Sequence, residues 1–262
     1  MTWNLWWRFG DWQRRRPAIL ETLRRERPDV CGLQEVWADD DTNFAGWLAG
    51  ELGMHWAYGP ASDRKTWQSR VDDPSARIGV AVLSRWPIHH PRVYDLPEDP
   101  SRPTLSVTVA APHATVPFVT AHTSVLPGSA RRMVQLRWLA EHVATLPPTG
   151  HPPVVVGDLN AEPGSDEIRR FAGHLTVPFV EGQVFLDAWR FADPADPGFT
   201  WDRANPYVAD WVAPSGRIDY VHVLLSGSRQ GRVRAVRRAA TGPVDGVWPS
   251  DHAAVVADLS DG

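Results

Sequence analysis

The chain has 262 residues, 43% of them hydrophobic and 22% charged, with a net charge of -4. That is ordinary globular composition, and it does not favour a long polyanion as partner. Cys31 is the only cysteine, which excludes an intrachain disulfide, and no apolar run is long enough to span a membrane.

In chain order, residues 2–6 read as a strand that starts directly after Met1. With no leader ahead of it, the expectation is a cytoplasmic protein with no membrane partner. Residues 11–27 read as a helix, with Ile19, Leu20 and Leu23 on one face and Pro28 just beyond its end. The apolar run 30–35 ends in a polar residue and suits a buried strand. Residues 42–52 read as helical. Residues 61–76 carry Arg64, Lys65, Trp67 and Arg70 beside Asp63, Asp72 and Asp73, and read as a mixed-charge loop able to lid a cleft. Strands are expected at 78–83, 104–110 and 117–121. The clearest helix is 128–146: Met133, Leu136, Ala140 and Val143 recur at helical spacing, and Arg131, Arg132, Arg137 and Glu141 take other faces. A strand at 153–157 and a short helix at 164–172 follow. Strands at 218–225, 232–238 and 252–259 close the chain. In the second of these, alternation turns Val233 and Ala235 inward and Arg232 and Arg234 outward. Strands outnumber helices and come in pairs, so two packed sheets with helices outside fit better than a simple βαβ alternation. There is no repeat and no linker, so one domain over 1–262 is expected.

Polar and ionisable residues recur at strand ends after apolar runs: Asn4, Glu35, His122, Asp158 and Asn160. Asp219 opens a strand, and Asp251 and His252 precede another. Such groups are costly to bury unless paired or bound to a metal, so their convergence implies a shared polar cleft. The carboxylates of Glu35, Asp158 and Asp251 and the amides of Asn4 and Asn160 supply the oxygen donors that Mg²⁺ or Mn²⁺ prefers, and no cysteine–histidine cluster has zinc spacing. Two histidines beside carboxylates suit phosphoryl oxygens. Two bland readings stay open: Asp219 as the salt-bridge partner of Arg217, and Asn4 as a turn anchor. His89, His90, His113, His142, His151 and His174 read as surface or satisfied loop histidines. Most of the 14 tryptophans read as core. Of those near the motifs (Trp6, Trp7, Trp37, Trp201, Trp211 and Trp248), two or three are candidates to stack on a flat group.

The segments TWN (2–4), LQEV (33–36), AH (121–122), GDLN (157–160), RIDY (217–220) and SDH (250–252) together resemble the ordered signature of the endonuclease/exonuclease/phosphatase superfamily. The resemblance implies a four-layer α/β sandwich of two mixed sheets with the site at one rim. It also implies one or two divalent ions, with Glu35 as principal ligand and Asn4 and Asp251 nearby. In that scheme Asp158 orients or deprotonates the attacking water, Asn160 holds phosphate or water, and His122 and the Asp219-paired His252 bind phosphoryl oxygens. Where deoxyribonuclease-like members carry an acidic residue before the middle strand, this chain has Arg77, which is expected to face the phosphate instead. Ala161, Glu162 and Pro163 after GDLN depart from the inositol phosphatases, and the basic insertions of abasic endonucleases are absent. The expected activity is metal-dependent hydrolysis of phosphodiesters, with nucleic acid ends, nucleotides or small diesters as substrate and no obligate protein partner. The alternatives are a phosphomonoesterase on a soluble metabolite and an inactive binding module.

Overall fold

The computed structural model describes residues 1–125, 127–227 and 229–260. Strands β1 (Thr2–Asn4), β2 (Val30–Ala38), β3 (His55–Pro60), β4 (Arg77–Ser84), β11 (Val233–Ala239) and β12 (Ala254–Leu259) form one sheet in the order β11-β12-β1-β2-β4-β3. The other contains β5 (Ile88–Leu96), β6 (Asp99–Ala111), β7 (Ala114–His122), β8 (Val154–Asp158), β9 (Phe185–Asp187) and β10 (Asp219–Leu224), ordered β5-β6-β7-β8-β10-β9. Each sheet is mixed: β1 and β2 run parallel, as do β7 and β8, and the other pairs are antiparallel.

Valines from both sheets, among them Val80, Val82, Val107, Val156, Val221 and Val255, pack with Leu105 and Phe118 into an inner core. β-Branched residues fit such a doubly buried pleated face. The sheets approach closely at Gly32, where a Cβ would lie 2.4 Å from Cγ2 of Val156. Helices α1 (Trp12–Glu26) and α2 (Phe44–Leu52) cover the outer face of the first sheet through Ile19, Leu20, Leu23, Phe44 and Leu48. Helices α4 (Ser129–Ala144) and α5 (Asp166–Ala172) cover the second through Leu136, Leu139, Ile168 and Phe171. This is the expected four-layer α/β sandwich of two mixed sheets. Among the described residues no helix is long and apolar enough to cross a membrane.

Four local expectations need correction. The first strand stops at Asn4, because Trp6 and Trp7 turn to positive φ. Arg132 does not take an outer face of α4: it is buried and paired at 3.0 Å with the equally buried Glu167. Ala235 is exposed rather than inward, because a register shift between Val233 and Ala235 breaks the alternation. The 61–76 segment contains the short helix α3 (Lys65–Gln68) and buries Trp67.

Candidate active site

Topology brings the sequence-predicted residues to one rim. His122, Asp158 and Asp219 stand side by side across β7, β8 and β10, in the registers His122↔Asp158 and Asp219↔Asp158. Gly157, just before Asp158, has no room for a side chain: a Cβ would fall 1.9 Å from the carbonyl oxygen of Ala121. On the facing sheet Asn4 ends β1, and Glu35 sits in β2 where the pairing with β4 slips between Leu33 and Val36. Glu35 has φ 52°, a left-handed conformation that costs a non-glycine residue on the order of 1–3 kcal/mol. The bulge directs the side chain toward the rim while its neighbour Gln34 bridges the sheets, donating from Nε2 to Oγ1 of Thr120 at 2.9 Å.

Asp158 is the hub. Its Oδ2 accepts from Nδ2 of Asn4 at 3.0 Å and lies 3.5 Å from Nε2 of His122 and 3.8 Å from Nε2 of His252. Its Oδ1 accepts the backbone N–H of Asn160 at 2.9 Å. Asn160 donates from Nδ2 to the carbonyl of Thr123, which leaves its amide oxygen toward the rim. The amide oxygen of Asn4 accepts the Trp6 N–H at 2.9 Å, so Asn4 offers the carboxylates its N–H groups. His252 pairs through Nδ1 with Oδ2 of Asp219 at 2.9 Å, and its Nε2 lies 3.9 Å from Oδ1 of Asp251. The Asp251–His252 segment is pinned to β1: the Trp3 indole donates to the His252 carbonyl at 3.0 Å, and the Ser250 hydroxyl to the Asn4 carbonyl at 2.7 Å.

Burial governs the charges. It pushes Asp158 up to about 6, helped by Asp219 and opposed by His252 and Asn4. It pushes Asp251 up to about 6 against His252 and Arg15, and it raises Glu35 despite Arg102 and His252. Burial also disfavours the His252 imidazolium, but Asp219, Asp251 and Asp158 outweigh it and hold the ring well above its ordinary 6.5. His122 goes the other way: burial, then Arg102 and His252, keep it neutral.

Two arginines not anticipated from the sequence complete the site. Arg102 is buried, and its Nη1 lies 2.6 Å from Nε2 of His122. It takes the place expected of Arg77, which instead pairs with Asp40 and donates to the carbonyl of Asp39 at 2.6 Å. Arg15, reaching up from α1, donates to the carbonyls of Leu5, Trp6, Trp7, Phe9 and Pro249, tying the loop after Asn4 to the segment before Asp251. Neither follows an apolar run at a strand end, the pattern that marked the others. Arg217 pairs with Asp187 at 2.7 Å, which leaves Asp219 to His252.

A hard divalent cation fits this donor set. Asp158 is buried and Glu35 and Asp251 are mostly so; Asp158 raises Glu35, Glu35 raises Asp251, and Oε2 of Glu35 is buried without a hydrogen-bond partner. Asp158, Asp219 and His252 also offer donor atoms within 4.8 Å of one another. There, however, the imidazole is already engaged by Asp219 and holds its proton, and an imidazolium is not a ligand. The Glu35–Asp251 side therefore suits a cation better.

Of the tryptophans near the motifs, Trp7 and Trp37 are core, whereas Trp211 is 50% exposed and packs edge-on against Trp201 at 5.1 Å. Trp201 pairs by backbone with His252. On β11, Arg237 and Arg238 are engaged by Glu26 and Asp196, which leaves Arg232 and Arg234 to solvent.

A family model described as the Endonuclease/Exonuclease/phosphatase family matches residues 1–252. A search of curated proteins finds no match. Solved structures do match. An endonuclease/exonuclease/phosphatase from Beutenbergia cavernae is similar at 23% identity and TM-score 0.70, covering 98% of this chain and 70% of that one. D. rerio TDP2 complexed with a single strand DNA product is similar at 17% identity and TM-score 0.74, covering 99% and 97%. Truncated Caenorhabditis elegans TDP2 is similar at 18% identity and TM-score 0.70, covering 97% and 94%. At these identities the structural likeness speaks to the fold.

Proposed function

Because the chain belongs to the endonuclease/exonuclease/phosphatase family, we propose that it is a divalent-metal-dependent phosphodiesterase acting on nucleic acid ends, nucleotides or small phosphodiesters. The observation that carries this reading is Asp158. It is buried between two histidines at 3.5 and 3.8 Å, with Asn4 and the Asn160 N–H fixing its two oxygens.

In this reading Asp158 orients and deprotonates the attacking water. A carboxylate poised near 6 holds a proton more readily than an ordinary aspartate. Asn160 presents its amide to the phosphate or the water. His252, kept charged by Asp219, and the Arg102–His122 pair supply positive charge to the phosphoryl oxygens. Glu35 and Asp251 would hold Mg²⁺ or Mn²⁺, with Asn4 keeping the carboxylates in register. When bound, the cation offsets charge that builds on the phosphoryl group. Arg15 holds both loops that carry these residues.

The TDP2 whose structure contains a single strand DNA product supports a nucleic acid end as substrate. Trp211, half exposed beside Trp201, supports a flat group next to the scissile phosphate. A phosphomonoesterase is the second reading. The buried guanidinium of Arg102 favours it, since a monoester carries one more negative charge than a diester. The test is a panel of phosphodiesters and phosphomonoesters, including oligonucleotide ends, assayed with Mg²⁺ or Mn²⁺. Diesters turned over well ahead of monoesters support the proposal. Monoester turnover alone establishes the second reading, and turnover of neither sinks both.

A further inference from the structure

Trp67 joins the cleft to the surface. Its ring is buried, with the Arg102 guanidinium carbon 5.3 Å from the ring centroid and that of Arg70 at 4.8 Å. It is braced edge-on by Trp7 at 5.4 Å, and its indole N–H points at the carbonyl of Ser101. Arg102 is the buried guanidinium beside His122, whereas Arg70 is exposed. The two are near enough for the charge of Arg70 to act on Arg102.

Arg70 differs from Arg8, Arg77 and Arg131, which carboxylates neutralise. Arg8 is held by Asp39 and Asp73, Arg77 by Asp40, and Arg131 faces Asp99. Among the described residues Arg70 has no carboxylate partner; its guanidinium lies over the Trp67 ring, and none of its side-chain donors is taken by another group. An unneutralised cation next to a buried one is electrostatically unfavourable in the free protein. An anion placed against it reverses that sign.

We propose that Arg70 binds a second anionic group of the substrate, one phosphate removed from the scissile phosphate, so that the preferred substrate is a phosphoester carrying a neighbouring phosphate. This rests on the phosphoesterase reading above and narrows its substrate class. A nucleic acid end and a nucleoside bisphosphate have this chemistry, and an isolated diester does not.

The experiment is a calorimetric titration of a nucleoside monophosphate and the corresponding nucleoside bisphosphate into the metal-loaded protein and into Arg70→Gln and Arg70→Lys. The readout is the ratio of the two dissociation constants within each protein. The expectation is that the wild-type protein prefers the bisphosphate by about tenfold, as one charge-assisted contact supplies. Arg70→Gln should reduce the ratio to near one, and Arg70→Lys should retain part of it. A variant that merely disturbs the loop weakens both ligands together and keeps the ratio. A wild-type ratio near one, an unchanged ratio in Arg70→Gln, or no binding of either nucleotide overturns the proposal. None of these outcomes depends on whether the panel above is hydrolysed, because the titration reads binding and not turnover.

Discussion

Nδ1 of His252 lies 2.9 Å from Oδ2 of Asp219, a wholly buried carboxylate whose other oxygen has no hydrogen-bond partner. Asp219 therefore has one visible task, to keep the imidazolium charged and turned toward Asp158. Asp219→Asn should preserve the fold and cut turnover by roughly a hundredfold or more, as loss of a preorganised electrostatic contact does. Since Asp219 raises the His252 pKa, its removal should also move the alkaline limb of the rate profile to lower pH. A rate profile unchanged in position would show that His252 does not act as a charged group.

Cation removal should abolish turnover. Withdrawal from solvent raises the pKa values of Glu35, Asp158 and Asp251, and a bound cation offsets the charge they carry. A ligand at one hundred times its dissociation constant stabilises the native state by about 2.7 kcal/mol, so Mg²⁺ or Mn²⁺ should raise Tm after exhaustive chelation. Glu35→Gln should shrink that rise. Full phosphodiesterase activity in excess chelator would refute the metal reading, whatever the Tm data show.

His222 gives the fold an acid-labile point. It is fully buried between Tyr220 and Phe171, and neither ring nitrogen has a hydrogen-bond partner. Burial lowers its pKa from 6.5 to about 4. In the unfolded chain the ring takes up a proton below about 6.5, whereas the folded protein resists protonation until about 4. Stability is therefore unaffected above that window and falls as pH drops through it. His222→Phe should raise Tm, and by more at pH 5 than at pH 7.5. An equal gain at both pH values would mean that His222 does not titrate between the two states.

Long duplex DNA is the substrate expected to fare worst. The chain is net acidic, Arg237 and Arg238 are held by acidic neighbours, and Trp67 of the 61–76 segment is buried beside Arg102. A protein that tracks a duplex neutralises many phosphates and loses affinity steeply with salt. Short oligonucleotides and small diesters should be cleaved faster than supercoiled plasmid, with a shallow salt dependence. Rapid plasmid nicking that collapses between low and moderate salt would reveal a duplex-binding surface.

Local pattern carries the layering and the acidic, amide and imidazole members of the rim. Apolar runs such as 154–156 ending in a polar residue carry both the strand and the place where it meets solvent, so Asp158, His122 and Glu35 were legible from local pattern. Their partners were not. Arg15 lies on a helix face, and its five carbonyl partners follow from how the loops at 5–9 and 249 close over it. Arg132 looked like one more surface arginine until α5 brought Glu167 against it. The exchange of Arg77 for Arg102, the outward turn of Ala235 and the orphaned ring of His222 likewise depend on sheet register and on a bulge. A one-residue slip in register reverses which face a side chain takes, and a guanidinium finds its partners across tens of residues of chain. Local periodicity carries neither kind of information, so only the tertiary structure decided them.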